Sequence, residues 1–338
     1  MKHLKIYFLF LLLGLLSCSR VQTLNLKSHY YSERPKNIIW LQIAGFQEEH
    51  LAMSRFSKPQ GVKSSSFETM SCAGKIWNYN LYGLRPSAGS GFLSQMVGSK
   101  NIKNNCEDYK KSPLWSYLNP TGYKVGIFEI AAGDDSLSAS KECSGGEGFL
   151  GQSILWKMEN AEGKKLFHYL GNDKFEKGNI YYDKSCKSGA CFATLFDNLK
   201  SIWRRFEKEQ GQSIFIVRDF SYLKALKAKN ITKAREILYE LDKSLQFFHD
   251  EFKRSQETLF LVTSSESINF EMPKKGKEWL EFETKGKHII FRNTSLMSPV
   301  FAKGSGAENF CGLYEEYEII KRIFWTTAKK TWNPLDLF

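Results

Sequence analysis

The chain has 338 residues, of which 42% are hydrophobic and 25% charged, and its formal net charge is +12 at pH 7. Once the signal peptide described below is discounted, roughly 300 residues remain, enough for one large α/β domain or two small ones. Lysines are spread from Lys36 to Lys330 without a dominant basic block, which argues against a nucleic-acid-binding module. A solvated basic surface is the first interpretation, and attraction to an anionic membrane face is the second.

Residues 1–17 have the pattern of a bacterial lipoprotein signal peptide. Lys2 and Lys5 precede an apolar run that ends just before Ser17 and Cys18. An uncleaved anchor helix is the alternative, but the run is shorter than the ~20 apolar residues that cross a bilayer. The pattern predicts lipidation of Cys18, a tether over residues 18–36, and a membrane-anchored protein of the bacterial cell envelope.

The cysteines after Cys18 form an even set in a chain predicted to be exported. They are Cys72, Cys106, Cys143, Cys186, Cys191 and Cys311. Up to three disulfides are possible, and sequence alone does not choose among the fifteen pairings, although Cys186 and Cys191 are the nearest pair. Zinc binding is the alternative, but the sequence contains no CxxC spacing.

The apolar patterns predict an α/β fold in one domain over residues 37–338. Four short continuous apolar runs are typical of strands buried on both faces of a largely parallel sheet: Ile38–Ile43, Val125–Ile130, Ile214–Val217 and Leu259–Thr263. Two stripes at helical spacing indicate buried helix faces, from Ile237 to Phe252 and from Phe192 to Phe206. Ser112–Pro113 is a helix start. Residues 134–188 lack such periodicity and are predicted to be an insertion at the sheet edge.

Several segments resemble, in the same order, landmarks of the alkaline phosphatase family in the alkaline phosphatase/sulfatase superfamily. They are NIIWLQIAGFQ at 37–47, LRPSAGSGFLSQMVGSK at 84–100, GIFEI at 126–130 with SLSASKECSG at 136–145, SIFIVRDFSYLKALK at 213–227, TLFLVTSSESI at 258–268 and NTSLMSPVFAKGSGAENFCGLYEEYEI at 293–319. The resemblance implies an α/β/α sandwich with a largely parallel central sheet. It also implies a place for two zinc ions and one magnesium ion at the strand ends.

The resemblance places Ser87 at the family's serine nucleophile and Lys141, shortly before Cys143, at its phosphate-gripping arginine. The family's metal-ligand positions fall mostly on side chains that do not bind metal: Ala44, Pro86, Arg218, Leu223, Lys227 or Leu226, Ser265, Glu266 and Asn293. Zinc needs Asp, His or Cys ligands, and magnesium needs oxygen ligands that include carboxylates. No metal cofactor is therefore expected.

These positions predict a lipid-anchored, catalytically inactive phosphatase relative with a binding or scaffold role. Its partner would be an unknown protein or a small anion, for which Arg218, Lys141 and Lys227 could form a cationic socket. Without metal, Ser87 is interpreted as a helix N-cap.

Two alternatives stay open at this point. One is an active, metal-dependent hydrolase of phosphoric or sulfuric esters that uses Ser87 as the nucleophile. Zinc and magnesium would then be held by other carboxylates, drawn from Glu129, Asp134, Asp135 and Asp219. The other is an enzyme that uses Ser87 on an acyl substrate without metal.

Overall fold

The computed structural model describes residues 34–56, 65–118, 122–144, 148–159, 161, 163–187, 190–207, 211–253, 255, 257–274 and 276–324, except the side chains of Phe56, Ser144, Glu283 and Asn293. The predicted signal peptide, Cys18 and most of the predicted tether lie outside these residues. Within them, no helix is both long enough and apolar enough to cross a membrane.

The described chain forms strands and helices that alternate along much of its length. The strands are β1 Asn37–Ala44, β2 Cys72–Trp77, β3 Lys124–Ile130, β4 Ser153–Met158, β5 Leu166–Phe167, β6 Ile180–Asp183, β7 Cys186–Lys187, β8 Ala190–Cys191, β9 Ser213–Asp219, β10 Thr258–Ser265, β11 Ile268–Glu271, β12 Ile290–Thr294, β13 Met297–Gly304 and β14 Gly312–Glu315. The α-helices are α1 Leu51–Phe56, α2 Ala88–Val97, α3 Leu114–Leu118, α4 Ala139–Ser144, α5 Leu195–Phe206, α6 Ser221–Lys227, α7 Ile231–Glu251, α8 Gly276–Lys285 and α9 Ile319–Phe324.

Ten of the strands form one sheet in the order β14-β2-β13-β10-β1-β9-β3-β4-β6-β5. All neighbouring pairs are parallel except those of β13, which runs antiparallel to β10 and β2. The four apolar runs found in the sequence are β1, β3, β9 and β10, the adjacent strands at the centre. The prediction of a largely parallel sheet is confirmed.

Helices cover both faces of the central strands. Ile39 and Leu41 of β1 belong to a core cluster with side chains of α5, α6 and α7, whereas Ile38 and Trp40 belong to a second cluster with α2, α3 and α9. This alternation follows from the two-residue period of a strand. The α/β/α arrangement predicted from the sequence is confirmed.

The two apolar stripes in the sequence predict helices α7 and α5, and one residue of the second stripe is misplaced. Thr194 caps α5 by accepting a hydrogen bond from the backbone N–H of Asp197, so the helix begins at Leu195. Phe192 precedes this cap and is 82% exposed, so its place in the predicted buried stripe is wrong. The helix predicted after Pro113 is α3.

The segment from 134 to 188 extends the sheet, because β4, β6 and β5 form its outer edge beyond β3. The expected local disulfide Cys186–Cys191 is present and closes the β7–β8 hairpin. Two further disulfides, Cys72–Cys311 and Cys106–Cys143, complete the pairing that the sequence left open.

Candidate functional site

The central parallel strands β1, β3, β9 and β10 end at one edge of the sheet, which we call the carboxyl edge. Ligand sites of open α/β sheets lie at this edge. Ala44 of β1 is paired in register with Ser265 of β10, and both are buried. Helix α2 lies directly on this end of β10. A Cβ atom at Gly91 would lie 1.9 Å from Ser265 Oγ, so the contact requires glycine.

Ser87 lies at the start of α2 and is exposed. It is the N-cap residue: its Oγ accepts a hydrogen bond from the Ser90 backbone N–H at 3.3 Å and lies 3.1 Å from Ser90 Oγ. This geometry agrees with the capping role expected of a serine at a helix start. Pro86, before it, offers no side-chain ligand atom.

Arg218 and Glu129 form a fully buried ion pair at the carboxyl edge. They lie opposite each other on the adjacent strands β9 and β3. Glu129 also accepts hydrogen bonds from the Ser136 hydroxyl at 2.5 Å and the Leu137 N–H at 2.9 Å, and Arg218 Nη2 donates to the Asp135 carbonyl at 3.3 Å. A guanidinium therefore stands at an aligned ligand position, and the nearby carboxylate is already bound.

Glu266 and Lys227 form a second ion pair, with 2.5 Å between Nζ and Oε1. The other carboxylate oxygen, Oε2, accepts the Ala88 backbone N–H at 2.9 Å. Glu266 follows β10 with a φ of +51°, a backbone conformation uncommon for residues other than glycine. Its carboxylate takes the position that an anion would occupy at the N-terminus of α2.

The remaining aligned positions of α6 are apolar. Gly45, which follows β1 with a φ of +81°, lies against Leu223, and a Cβ atom at Gly45 would come within 2.9 Å of Leu223 Cδ1. Leu226, the alternative to Lys227 in the alignment, is buried as well. Packing of α6 against the end of β1 fills this part of the site with hydrocarbon.

The other predicted site residues do not join this cluster. Lys141 is exposed on α4, next to the Cys106–Cys143 disulfide. Asn293 lies on β12, which pairs with β11 outside the large sheet, and its side chain lies outside the described residues.

The acidic residues named as alternative metal ligands have other roles. Asp219 is buried, accepts hydrogen bonds from the backbone N–H groups of Ser221 and Tyr222, and so stabilises the first turn of α6. Burial raises the pKa of Asp219 to about 6, although these hydrogen bonds oppose the shift. Asp135 accepts a hydrogen bond from Asn104, and Asp134 is exposed.

The described residues do not fit the zinc and magnesium ions that the fold implies. Within this part of the chain, one group of three potential ligands comes together, consisting of Asp183, Cys186 and Cys191. It lies at the β7–β8 hairpin, and its two sulfurs form a disulfide instead of free thiolates. At the carboxyl edge, Arg218 pairs with Glu129 and Lys227 pairs with Glu266, so both carboxylates are already engaged by cations.

The buried histidine near the end of β1, His50, is not placed to activate Ser87. Among the described residues, His50 bonds with the Ile268 carbonyl through Nε2 at 2.8 Å and with the Tyr222 hydroxyl through Nδ1 at 2.9 Å. Burial lowers the pKa of His50 to about 3, against the effect of the Ile268 hydrogen bond. Both ring nitrogens are thus engaged in a neutral, structural hydrogen-bond network.

A buried polar network below α2 was missed by the sequence analysis. Gln95 Nε2 donates to Glu316 Oε1 at 2.8 Å and to the Ser264 carbonyl at 3.1 Å, and its Oε1 accepts from the Thr263 hydroxyl at 2.6 Å. Burial raises the pKa of Glu316 to about 7, although hydrogen bonds from Gln95 and Ser265 oppose the shift. A glutamine in the middle of an otherwise small and apolar helix was the available signal.

Neither a protein-family model nor a curated protein matches this chain. Solved structures do match it. The alkaline phosphatase of the Antarctic bacterium TAB5 is 16% identical with a TM-score of 0.66, covering 87% of this chain and 98% of that one. The alkaline phosphatase of Thermus thermophilus is 10% identical with a TM-score of 0.67, covering 94% and 96%.

A third match, the lipoteichoic acid synthase LtaP from Listeria monocytogenes, is 13% identical with a TM-score of 0.51, covering 90% of this chain and 75% of that one. At these identities the likeness concerns the fold. The chain has the alkaline phosphatase fold, and the resemblance found in the sequence is confirmed at that level.

Proposed function

We propose that this protein is a lipid-anchored, catalytically inactive relative of the alkaline phosphatases that acts by binding a partner. One observation carries the proposal: Arg218, Lys227 and Glu266, which the sequence resemblance aligns with metal ligands of the family, are engaged in the ion pairs Arg218–Glu129 and Lys227–Glu266. Both cations of this site are neutralised by carboxylates of the same chain. A divalent cation would meet a guanidinium and an ammonium there, which disfavours its binding.

The ion pairs at the carboxyl edge also favour one kind of binding partner over another. Arg218 and Lys227 hold carboxylates of the same chain, and Lys141 is exposed on α4. A small anion would therefore have to displace Glu266 from Lys227 and from the α2 N-terminus. A partner that binds the outer surface of the domain meets no such competition, so we favour a scaffold role over capture of a free anion.

Metal content and hydrolysis test the proposal together. The full chain, purified without chelator, is expected to contain no stoichiometric zinc or magnesium and to hydrolyse neither p-nitrophenyl phosphate nor p-nitrophenyl sulfate between acidic and alkaline pH, also after zinc and magnesium are added. The Ser87→Ala variant is the matched control. Tightly bound zinc, or turnover that Ser87→Ala abolishes, would establish the metal-dependent hydrolase instead.

The membrane anchor is tested separately at Cys18. We expect the chain expressed in bacteria to incorporate labelled palmitate and to sediment with membranes, and the Cys18→Ala variant to lose the label. Retention of the label by Cys18→Ala would show that the lipoprotein interpretation is wrong, without affecting the interpretation of the carboxyl edge.

A further inference from the structure

Exposed apolar side chains are concentrated at the β14 end of the sheet. Half of the large hydrophobic residues that are exposed in the described part of the chain lie there, and we call them the rim patch: Trp77, Leu81, Tyr82, Leu84, Leu296 and Leu313. Leu84 is 71% exposed, Leu81 67% and Leu313 66%. Apolar groups gathered in this way indicate an interaction surface, whereas single exposed leucines are ordinary.

Four members of the rim patch lie around one cavity. A cavity of about 520 Å³ is lined by Trp77, Leu84, Leu296 and Leu313 together. It forms because β2 and β14 are the outermost strands: Ile76 and Tyr314 point into the core beneath α2 and α9, and the alternate residues Trp77 and Leu313 point to the opposite face.

The rest of the patch lies on a turn that its own hydrogen bonds hold. Asn80 pairs with Gly83, and the Asn80 side-chain oxygen accepts the N–H groups of Tyr82 at 2.8 Å and Gly83 at 2.9 Å. The Leu81 N–H donates to the Lys100 carbonyl at 3.1 Å. The polar backbone of this turn is therefore bonded, and Leu81 projects as an apolar tip.

Cationic side chains lie beside the patch, together with one carboxylate, that of Glu315, which lines the first cavity and pairs with Lys100. Arg85 and Lys103 are exposed and form no ion pair within the described part of the chain, and Lys103 Nζ lies 5.2 Å from the centre of the Tyr82 ring. A second cavity, of about 510 Å³, shares Trp77 and Leu296 with the first and is lined also by Lys75, Arg85 and Arg292.

Two of these cations already form ion pairs within the chain. Lys75 pairs with the carboxylate of Glu48, and Arg292 pairs with the carboxylate of Glu271. Both pairs are exposed at the surface, where such pairs contribute little to stability and can rearrange around a ligand. Without Lys2 and Lys5 of the predicted signal peptide, the formal net charge of +12 falls to +10, so the chain stays strongly basic. The patch thus combines an apolar tip, aromatic rings and accessible cations within one surface.

We propose that the rim patch docks the folded domain onto an anionic lipid bilayer. Leucine side chains of the turn enter the interfacial layer, Trp77 and Tyr82 lie at headgroup depth, and Arg85 and Lys103 contact lipid phosphates. Apolar groups flanked by Lys and Arg bind such interfaces by combined burial and charge attraction. The proposal concerns the surface formed by β2, β14 and the turn before α2, and it does not depend on whether the carboxyl edge is inactive.

The connection to Cys18 permits this orientation. Arg34, the first described residue, precedes β1 at the amino edge of the sheet, and Trp77 ends β2 at the carboxyl edge. The eight residues of β1 span about 26 Å. The chain between Cys18 and Arg34 can span at most about 55 Å. A lipid on Cys18 and the rim patch can therefore reach the same membrane.

Quenching of Trp77 fluorescence by brominated lipids tests the proposal in the full chain. The vesicles contain brominated phosphatidylcholine, either alone or mixed with brominated phosphatidylglycerol. Trp77→Phe isolates the contribution of Trp77, so that insertion of other segments does not affect the result. We expect the parent chain to be quenched more than Trp77→Phe in anionic vesicles, with the difference reduced at high salt and in neutral vesicles.

The double variant Leu84→Asp/Leu313→Asp is expected to lose this extra quenching. Its matched control, Leu170→Asp/Phe192→Asp, changes two equally exposed side chains elsewhere and is expected to retain it. Thermal unfolding of both variants confirms that they fold. Equal quenching of the parent chain and Trp77→Phe, or equal loss in the two double variants, would overturn the proposal; the former result would favour a protein partner for this surface.

Discussion

Arg218 and Glu129 are fully buried, so each depends on the other for the compensation of its charge. Removing one partner of such a pair leaves an uncompensated charge in the interior, which costs about 3–5 kcal/mol. We expect Arg218→Met to lower the free energy of unfolding by about that amount and Arg218→Met/Glu129→Gln to recover most of the loss. Urea unfolding of the single and double variants measures the coupling.

The exposed pair provides the comparison. Lys227 is 55% exposed in its side chain, so Lys227→Met is expected to cost less than about 1 kcal/mol. If Arg218→Met cost no more than Lys227→Met, the buried pair would not be the element that holds β3 and β9 together at this edge.

Glu266 acts as an internal anion at the start of α2, because it accepts the Ala88 N–H and pairs with Lys227. Glu266→Gln removes the negative charge and nearly preserves the volume, so Lys227 and the Ala88 N–H lose their anionic partner. We expect this variant to bind inorganic phosphate at least tenfold more tightly than the parent chain, as measured by titration calorimetry.

The control for Glu266→Gln is Glu281→Gln. Glu281 lies on α8, and its exposed carboxylate pairs with His288 beyond the end of that helix. That variant is expected to bind phosphate like the parent chain. No gain of affinity in Glu266→Gln would show that the carboxylate does not occupy an anion position.

Glu316 makes stability depend on pH, because burial raises its pKa from 4.5 to about 7. A raised pKa means that the folded state binds the proton more tightly than the unfolded state. The stabilisation is therefore fully present below about pH 4.5 and is lost as pH rises through about 7. Glu316→Gln keeps the carbonyl oxygen that accepts from Gln95 and has no proton to lose.

We therefore expect the free energy of unfolding of Glu316→Gln, relative to the parent chain, to rise by about 3 kcal/mol between pH 4.5 and pH 8. The pH dependence of stability in the parent chain alone would not show the contribution of Glu316, because other buried groups titrate in the same pH range. Burial lowers the pKa values of His50 and His249 to about 3 and about 4, so their stabilisation is lost as pH falls below about 6.5 and opposes the trend. If the difference in the free energy of unfolding between Glu316→Gln and the parent chain stays constant with pH, Glu316 does not cause this pH dependence.

The stability of helix α2 tests whether Ser87 acts as its N-cap. As an N-cap it accepts the Ser90 N–H, and its loss in Ser87→Ala is expected to cost about 1 kcal/mol. Asparagine is an equally good N-cap but no nucleophile, so Ser87→Asn is expected to unfold like the parent chain. Thermal unfolding of the three proteins measures this difference, and equal stability of Ser87→Ala and Ser87→Asn would exclude a capping role.

The elements that the sequence predicted are those whose local pattern determines them. The buried strands β1, β3, β9 and β10 are continuous apolar runs, and α7 has a clear helical stripe. The outer strands β4, β5 and β6 were not predicted, because short edge strands between glycine and lysine residues have no period that distinguishes them from loops. Their pairing with β3 is a tertiary property.

The site was predictable only in part, for the same reason. Glu129 interrupts one apolar run and Arg218 directly follows another, which is a signal that a buried charge needs a partner, but their pairing depends on the register between β3 and β9. The pairing of Lys227 with Glu266 depends on how α6 packs against the end of β1. Sequence order indicates which residues stand at aligned positions and not which of them neutralise each other.

For the whole molecule, the disulfide Cys72–Cys311 joins β2 to the residue before β14 across a sequence separation of 239. It closes most of the folded domain into one loop, and a longer loop loses more entropy in the unfolded state. The chain-entropy relation gives about 5 kcal/mol for this bond and about 2 kcal/mol for Cys186–Cys191, whose separation is 5. The two bonds therefore stabilise the protein to different degrees.

We expect Cys72→Ala/Cys311→Ala to lower the free energy of unfolding by up to about 5 kcal/mol, and the matched variant Cys186→Ala/Cys191→Ala by up to about 2 kcal/mol, in guanidinium unfolding without reductant. Equal losses would show that native contacts at the sheet edge, and not the unfolded state, dominate the effect. The longer bond also connects the two strands that carry Trp77 and Leu313. Its removal should therefore weaken the rim patch, whereas opening the distant β7–β8 hairpin should leave that surface intact.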